Sequence, residues 1–183
     1  RRLFDLDADL MIIEQHLAAT PLRPLLGEGL RIPGVWSTWE AGVRAILGQQ
    51  VTVKAAITHL NRFVAALNEN SKEDVCYFPD AALVASADLS FLKMPQSRKD
   101  TLKRFAEFVR DHPQAPPEDW LTIKGIGPWT VQYAQLRGAS DSNCFLVSDL
   151  VVKKAIRHLP ATLADDVAPW GSYATFHCWN SQL

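Results

Sequence analysis

Leu121-Thr-Ile-Lys-Gly-Ile-Gly-Pro-Trp-Thr-Val-Gln-Tyr133, with the Phe145-Leu-Val-Ser-Asp-Leu150 that follows it, decides the reading of this 183-residue chain. Gly125-Ile126-Gly127 can turn a tight hairpin, because glycine reaches positive φ and lets another backbone come close. Pro128 suits the first turn of a helix, where its missing N–H is no loss. A hairpin that ends at a helix N-terminus offers backbone donors and a positive dipole to a phosphate. Downstream, Asp149 stands as a carboxylate among apolar neighbours. An anion cradle followed by a lone acid points to chemistry on nucleic acid.

The flanking sequence is helical. Ser37-Thr-Trp-Glu40 reads as a capping box opening a helix with Trp39, Val43, Ile46 and Leu47 on one face. Gly48-Gln49-Gln50 interrupts that face. A second run restarts at Val53 and continues through Ala56, Ile57, Leu60, Phe63, Val64 and Leu67, giving two consecutive helices with a polar corner between them. Pro79-Asp80 opens a short helix, and Ser97 is the expected cap of another that carries Leu102, Phe105, Ala106 and Val109 inward. His112-Pro-Gln-Ala-Pro-Pro117 is a linker. Past the hairpin a helix should stop near Arg137-Gly138. Asp141-Ser142-Asn143 form a loop, a helix follows Asp149 through Val152, Ala155 and Ile156, and a last one runs from about Trp170. Alternating strand patterns are scarce, so the expected class is all-α.

The bulk properties bound this reading. The chain can form one domain or two small lobes with a real core. Its formal net charge of −1 advertises no polyanion partner, and the one basic cluster, Lys93, Arg98, Lys99, Lys103 and Arg104, also fits a solvated helix face. Cys76, Cys144 and Cys178 lack metal or disulfide spacing, as expected in a reducing cytosol. His16, His59, His112, His158 and His177 show no ligand spacing either. No apolar run approaches the ~20 residues that span a membrane, so the expected location is the cytosol or nucleoid of a bacterium.

Four further segments stand in order around the hairpin: Arg1-Arg-Leu-Phe-Asp-Leu6, Gly42-Val-Arg-Ala-Ile-Leu-Gly-Gln49, Met94-Pro95 and Pro169-Trp-Gly-Ser-Tyr-Ala174. Together with Asp149 they resemble the helix-hairpin-helix superfamily of DNA glycosylases, and within it the 3-methyladenine DNA glycosylase II family of alkylation-repair enzymes. The resemblance runs over nearly the whole chain. It implies a two-lobed helical catalytic region over 1–183, with one lobe at 38–141 containing the helix-hairpin-helix (about 117–138). The other lobe joins 1–37 to 142–183. It also implies a small mixed α/β domain ahead of Arg1, outside this sequence.

The residue roles follow from the resemblance. Asp149 is the expected catalytic acid, because a carboxylate can stabilise the oxocarbenium character of a sugar losing its base, or orient water. Trp129, Tyr133 and Trp179 match pocket aromatics, suited by cation–π attraction to a purine made cationic by methylation at N3 or N7. Trp36, Trp39, Trp120 and Trp170 are assigned to the core. Gly125, Ile126, Gly127 and Thr130 are expected to hold DNA phosphate, and the carbonyls of Leu121, Ile123 and Ile126 a monovalent cation. Gln49 and Gln50 sit in the corner that enters the gap left by a flipped nucleotide; a plain solvated turn is the alternative. The family often has an apolar wedge where Gln50 stands and an aromatic where Asn180 stands. Relatives that also nick the strand carry a Schiff-base lysine where Trp129 stands.

The expected protein is thus a monomeric, monofunctional base-excision enzyme acting on alkylated double-stranded DNA, with no organic cofactor, no metal held by side chains and no membrane partner. Two alternatives stay open: a related glycosylase for mismatched, oxidised or deaminated bases, and a non-catalytic helix-hairpin-helix module that only grips DNA backbone.

Overall fold

A computed structural model describes residues 1–68, 76–161 and 163–182. Among the described residues it is helical with no strand, as the scarcity of alternating patterns predicts. The helices are α1 (Leu10–Ala18), α2 (Thr38–Gly48), α3 (Val53–Leu67), α4 (Ala81–Ser86), α5 (Gln96–Asp111), α6 (Pro128–Ala134), α7 (Leu150–Ile156), α8 (Leu163–Asp166) and α9 (Gly171–Asn180). The chain forms two compact units, one of residues 39–131 and one joining 1–38 to 132–183.

In the 39–131 unit, an aromatic stack forms the centre. Trp39 stacks on Phe105 with ring centroids 5.0 Å apart, and Phe105 meets Trp120 edge-on at 4.7 Å. Gly42 makes room for them, since a Cβ there would lie 2.4 Å from Phe105. α4 packs on α5, and Asp80 caps α4 by accepting the Leu83 N–H at 2.7 Å. The polar corner predicted after α2 is present, with Thr52 capping α3 at the Ala55 N–H. The apolar stripe of α3 reaches the core only in its second half: Phe63 is fully buried, whereas Val53 and Ile57 beside the corner are exposed.

In the 1–38 and 132–183 unit, Ile13, Leu17, Leu136, Leu146, Val152 and Val167 make the core. α7 packs on α9. The Asp5 carboxylate accepts from Tyr173 Oη at 2.9 Å and from the Ile32 N–H at 3.1 Å, tying the start of the chain to α9. Burial, then the hydrogen bond to Asp5 and its charge, push the Tyr173 phenol well above its ordinary range.

Three sequence expectations are corrected in whole or in part. Ser97 does not cap α5: the helix starts one residue earlier, after Pro95, whose carbonyl accepts the Arg98 and Lys99 N–H groups. The helix through Tyr133 ends near Gly138 as expected, but its last turn widens into a π-turn over Gln135–Ala139, and Ser140 at φ 59° rather than Gly138 is the left-handed stop. Gly138 is needed there for close approach, because a Cβ would sit 2.6 Å from Thr38 Cα. Trp36 is not core; it is 76 % exposed.

Candidate active site

The hairpin forms where the glycines predict it. Gly125 adopts φ +101°, and a Cβ there would meet Thr101 Oγ1 at 2.1 Å, so both conformation and space demand glycine. Thr101 and Arg104 of α5 each donate to the Lys124 carbonyl, at 3.3 and 3.1 Å, and brace the turn from below. Part of the basic cluster is therefore structural, Lys103 likewise donating to the Ala85 carbonyl. At Gly127 a Cβ would meet nothing within 4 Å, so that face of the turn is open. Pro128 opens α6, with the Thr130 and Val131 N–H groups bonded back to the Gly127 carbonyl. Ile123 and Ile126 are buried and Leu121 is half exposed; the Ile123 carbonyl accepts the Ile126 N–H.

The structure brings the corner and the hairpin together. Gln49 Nε2 donates to the Gly125 carbonyl at 3.3 Å and lies 3.4 Å from Thr130 Oγ1. Gln50, at the tip of the corner, is exposed and has φ +55°. A non-glycine residue held in that left-handed region is strained, a condition that concentrates at functional sites. A cavity of about 240 Å³ opens beside Gln49, Gln50, Arg98 and Gly125. Trp129, on the first turn of α6, is half buried.

In the other unit, Asp149 caps α7. Its Oδ1 accepts the Val151 and Val152 N–H groups at 2.9 and 3.0 Å, and Trp179 Nε1–H at 3.1 Å. The acid is thus oriented both by its own helix and by an indole of α9. Val147 and Leu150 on either side are exposed, Leu150 by 81 %. Tyr133 lies 6.4 Å from Trp179 between ring centroids, and Phe176 meets Trp179 edge-on at 5.0 Å. Of the three expected pocket aromatics, Trp179 is bonded to Asp149 and Tyr133 is its neighbour.

Sequence reading missed how the acid is placed. Ser172 Oγ accepts the Cys144 N–H at 2.9 Å and donates to the Asp141 carbonyl. Thr175 Oγ1 accepts the Leu146 N–H and donates to the Cys144 carbonyl, both at 3.0 Å. With Trp179 these residues stand at i, i+3 and i+7, one face of α9, and stitch the segment leading to Asp149. Their signal was available: polar residues inside an otherwise apolar helix need partners when buried. Behind that face, burial pushes the Cys178 thiol up to about 12, with the Asp149 charge adding to it, so the thiol stays protonated. His177 is also buried; burial holds its imidazole below the usual range, and its Nδ1 accepts the Gly27 N–H at 3.2 Å.

A second cavity, about 320 Å³ beside His16 and Asp166, lies among none of these residues. Among the described residues, no group of three or more His, Cys, Asp or Glu is arranged to hold a metal, and no helix is long and apolar enough to cross a membrane.

Residues 1–37 match the AlkA N-terminal domain family, so the similarity to that domain falls on the segment grouped above with 142–183. The chain is 35 % identical over 202 residues to the DNA-3-methyladenine glycosylase 2 of Escherichia coli, covering 99 % of this chain and 70 % of that protein. It is 36 % identical over 205 residues to the "Probable bifunctional transcriptional activator/DNA repair enzyme AlkA" of Mycobacterium tuberculosis, and spans 41 % of that relative's length. Two solved structures share the fold: a Schizosaccharomyces pombe 3-methyladenine DNA glycosylase in complex with abasic DNA, and a Clostridium acetobutylicum 8-oxoguanine glycosylase/lyase in complex with DNA. The first has a TM-score of 0.74 at 22 % identity, covering 94 % of this chain and 97 % of that one. The second has a TM-score of 0.79 at 18 % identity, covering 97 % and 71 %.

Proposed function

Since the chain belongs to the DNA-3-methyladenine glycosylase II family, we propose that it flips alkylated bases out of duplex DNA and hydrolyses their N-glycosidic bonds. The observation that carries this reading is the 3.1 Å bond from Trp179 Nε1 to Asp149 Oδ1, which sets a base-stacking ring and a carboxylate side by side. Breaking the bond between C1′ and the base leaves positive charge on the sugar. Asp149, held by three donors, faces that charge without reorganising. Water then adds its oxygen at C1′ and gives its proton to solvent. A base methylated at N3 or N7 carries a positive charge and leaves neutral, so it needs no acid.

The other residues serve access. The open face at Gly127, with Ile126 and Thr130 beside it, lets the hairpin amides approach a phosphate, a contact that positions the protein without reading sequence. Cation binding by the Leu121, Ile123 and Ile126 carbonyls would neutralise part of that phosphate charge. Gln50 at the strained corner fills the gap left by the flipped base, and Gln49 fixes the corner to the hairpin. Trp129, Tyr133 and Trp179 receive the base. Trp129 stands where strand-nicking relatives carry a lysine, which supports a monofunctional hydrolase.

The test is release of free methylpurines from methylated duplex DNA, followed by chromatography. We expect 3-methyladenine and 7-methylguanine from the wild type and a large loss with Asp149→Asn. Borohydride should trap no covalent protein–DNA adduct; a robust adduct would mean amine chemistry instead. Tight DNA binding with no base released would leave only a backbone-gripping module.

A further inference from the structure

Arg137 occupies an unusual place among the rings. It lies on the π-turn one helical turn after Tyr133, with its guanidinium carbon 5.9 Å from the Tyr133 ring centroid and 5.6 Å from that of Phe176. Its Nε is buried with no hydrogen-bond partner. Among the described residues no carboxylate forms an ion pair with it. Arg137 as a whole is half-buried, and a partly buried guanidinium commonly takes a carboxylate as counter-charge. Here the compensation comes from aromatic faces, whose quadrupoles attract a cation. Tyr133 and Phe176 both contact Trp179, the ring bonded to Asp149.

We propose that Arg137 is a specificity-determining residue that moves the site's preference away from cationic bases and toward neutral modified ones. The inference rests on the excision reading above and names the class of substrate it favours. A ring that already holds a guanidinium on its π-system has less to offer a second cation, and the two positive charges repel. A neutral base stacks on the same ring without that repulsion. If the C1′–N bond breaks without prior protonation, its electron pair stays on the base nitrogen and the base leaves as an anion, which the guanidinium favours. Both effects act in one direction. The flipped base would stack ~3.5–4 Å beyond the Tyr133 ring, putting the two charges ~10 Å apart. At an effective dielectric of ~20–40, that repulsion disfavours a cationic base by roughly fourfold to twentyfold.

The experiment measures single-turnover excision from two duplexes, one with 7-methylguanine (cationic) and one with hypoxanthine (neutral). Arg137→Met keeps the length of the side chain and removes the charge; Arg137→Lys keeps the charge. The 7-methylguanine to hypoxanthine ratio should rise by roughly fourfold to twentyfold in Arg137→Met and stay within about twofold of wild type in Arg137→Lys. Arg137→Gln makes the same comparison if the methionine variant does not fold. An equal loss on both substrates, or an unchanged ratio, would reduce Arg137 to a packing residue and overturn the proposal. Release of neither base by the wild type would overturn the excision reading itself, and this inference with it.

Discussion

Replacing Asp149 by asparagine separates the charge of the acid from its scaffolding. Oδ1 carries the bonds from the Val151 and Val152 N–H groups and from Trp179 Nε1, at 2.9, 3.0 and 3.1 Å. An asparagine carbonyl oxygen can take the same place, and asparagine caps a helix about as well as aspartate. The two cap bonds then change little, and the difference between a charged and a neutral acceptor falls on the Trp179 bond, about 1–2 kcal/mol. Stabilities of ~5–15 kcal/mol absorb that. The chemistry has no such reserve: loss of a preorganised charge facing a developing cation typically costs ~3–4 kcal/mol, or about 10²–10³ in rate. Binding to an abasic-site analogue should survive or improve, because a negative charge near phosphates is gone. Asp149→Ala should lose the same rate and, in addition, ~1 kcal/mol of cap, leaving the Trp179 indole without this acceptor. Single-turnover excision with enzyme in excess, beside thermal unfolding of the same proteins, separates the two effects. Near-normal excision by Asp149→Asn would remove the acid from the mechanism, and joint loss of excision and fold would make it a structural cap.

Three further outcomes follow from the backbone and from burial. Gln50→Gly should stabilise the fold by up to ~1 kcal/mol by relieving the left-handed strain while weakening binding to lesion DNA; unchanged binding would identify the corner as a plain turn. Gly127→Ala should leave the melting temperature unchanged and weaken DNA binding, whereas Gly138→Ala, crowded by Thr38, should cost ~1–3 kcal/mol of stability; a large stability loss at Gly127 would contradict the open face. His177, held by burial below the ordinary imidazole pKa of ~6.5 against an upward pull from Glu14, binds fewer protons folded than unfolded. Stability should therefore be full above pH ~6.5 and decline below it, and His177→Gln should flatten that decline in thermal melts; an identical pH slope in both proteins would assign it elsewhere.

The helical class and the corner and hairpin were legible because glycine, proline and apolar spacing act locally. Gly125 announces a positive φ, Asp80 and Asp149 announce caps, and the 3.6-residue period shows in α2 and in α3. The misreadings arose where something other than the marked residue decided, whether a neighbour or a distant segment. Gly138 looks like a helix stop, yet its missing Cβ answers the Ser37-Thr38 backbone, which no local rule reveals. Ser97 looks like a cap, but Pro95 has already set the start of α5. Within the candidate site, Asp149, Tyr133 and Trp179 stand out in the sequence but their mutual placement does not, and the Ser172 and Thr175 bonds depend on residues about 30 positions apart. Arg137 escaped for the same reason: its partner Phe176 lies on the last helix.

The face of α9 that addresses residues 141–149 also sets an order of events. A chain made from its N-terminus exposes the acid-bearing segment before Ser172, Thr175 and Trp179 have been added. Until α9 forms, the Cys144 and Leu146 amides lack their hydroxyl partners and Asp149 lacks its indole donor. The arrangement around Asp149 is therefore completed only after most of the helical scaffold is made. A ribosome-bound intermediate ending before α9 would carry the hairpin and the corner, and could grip DNA without cutting a base from it.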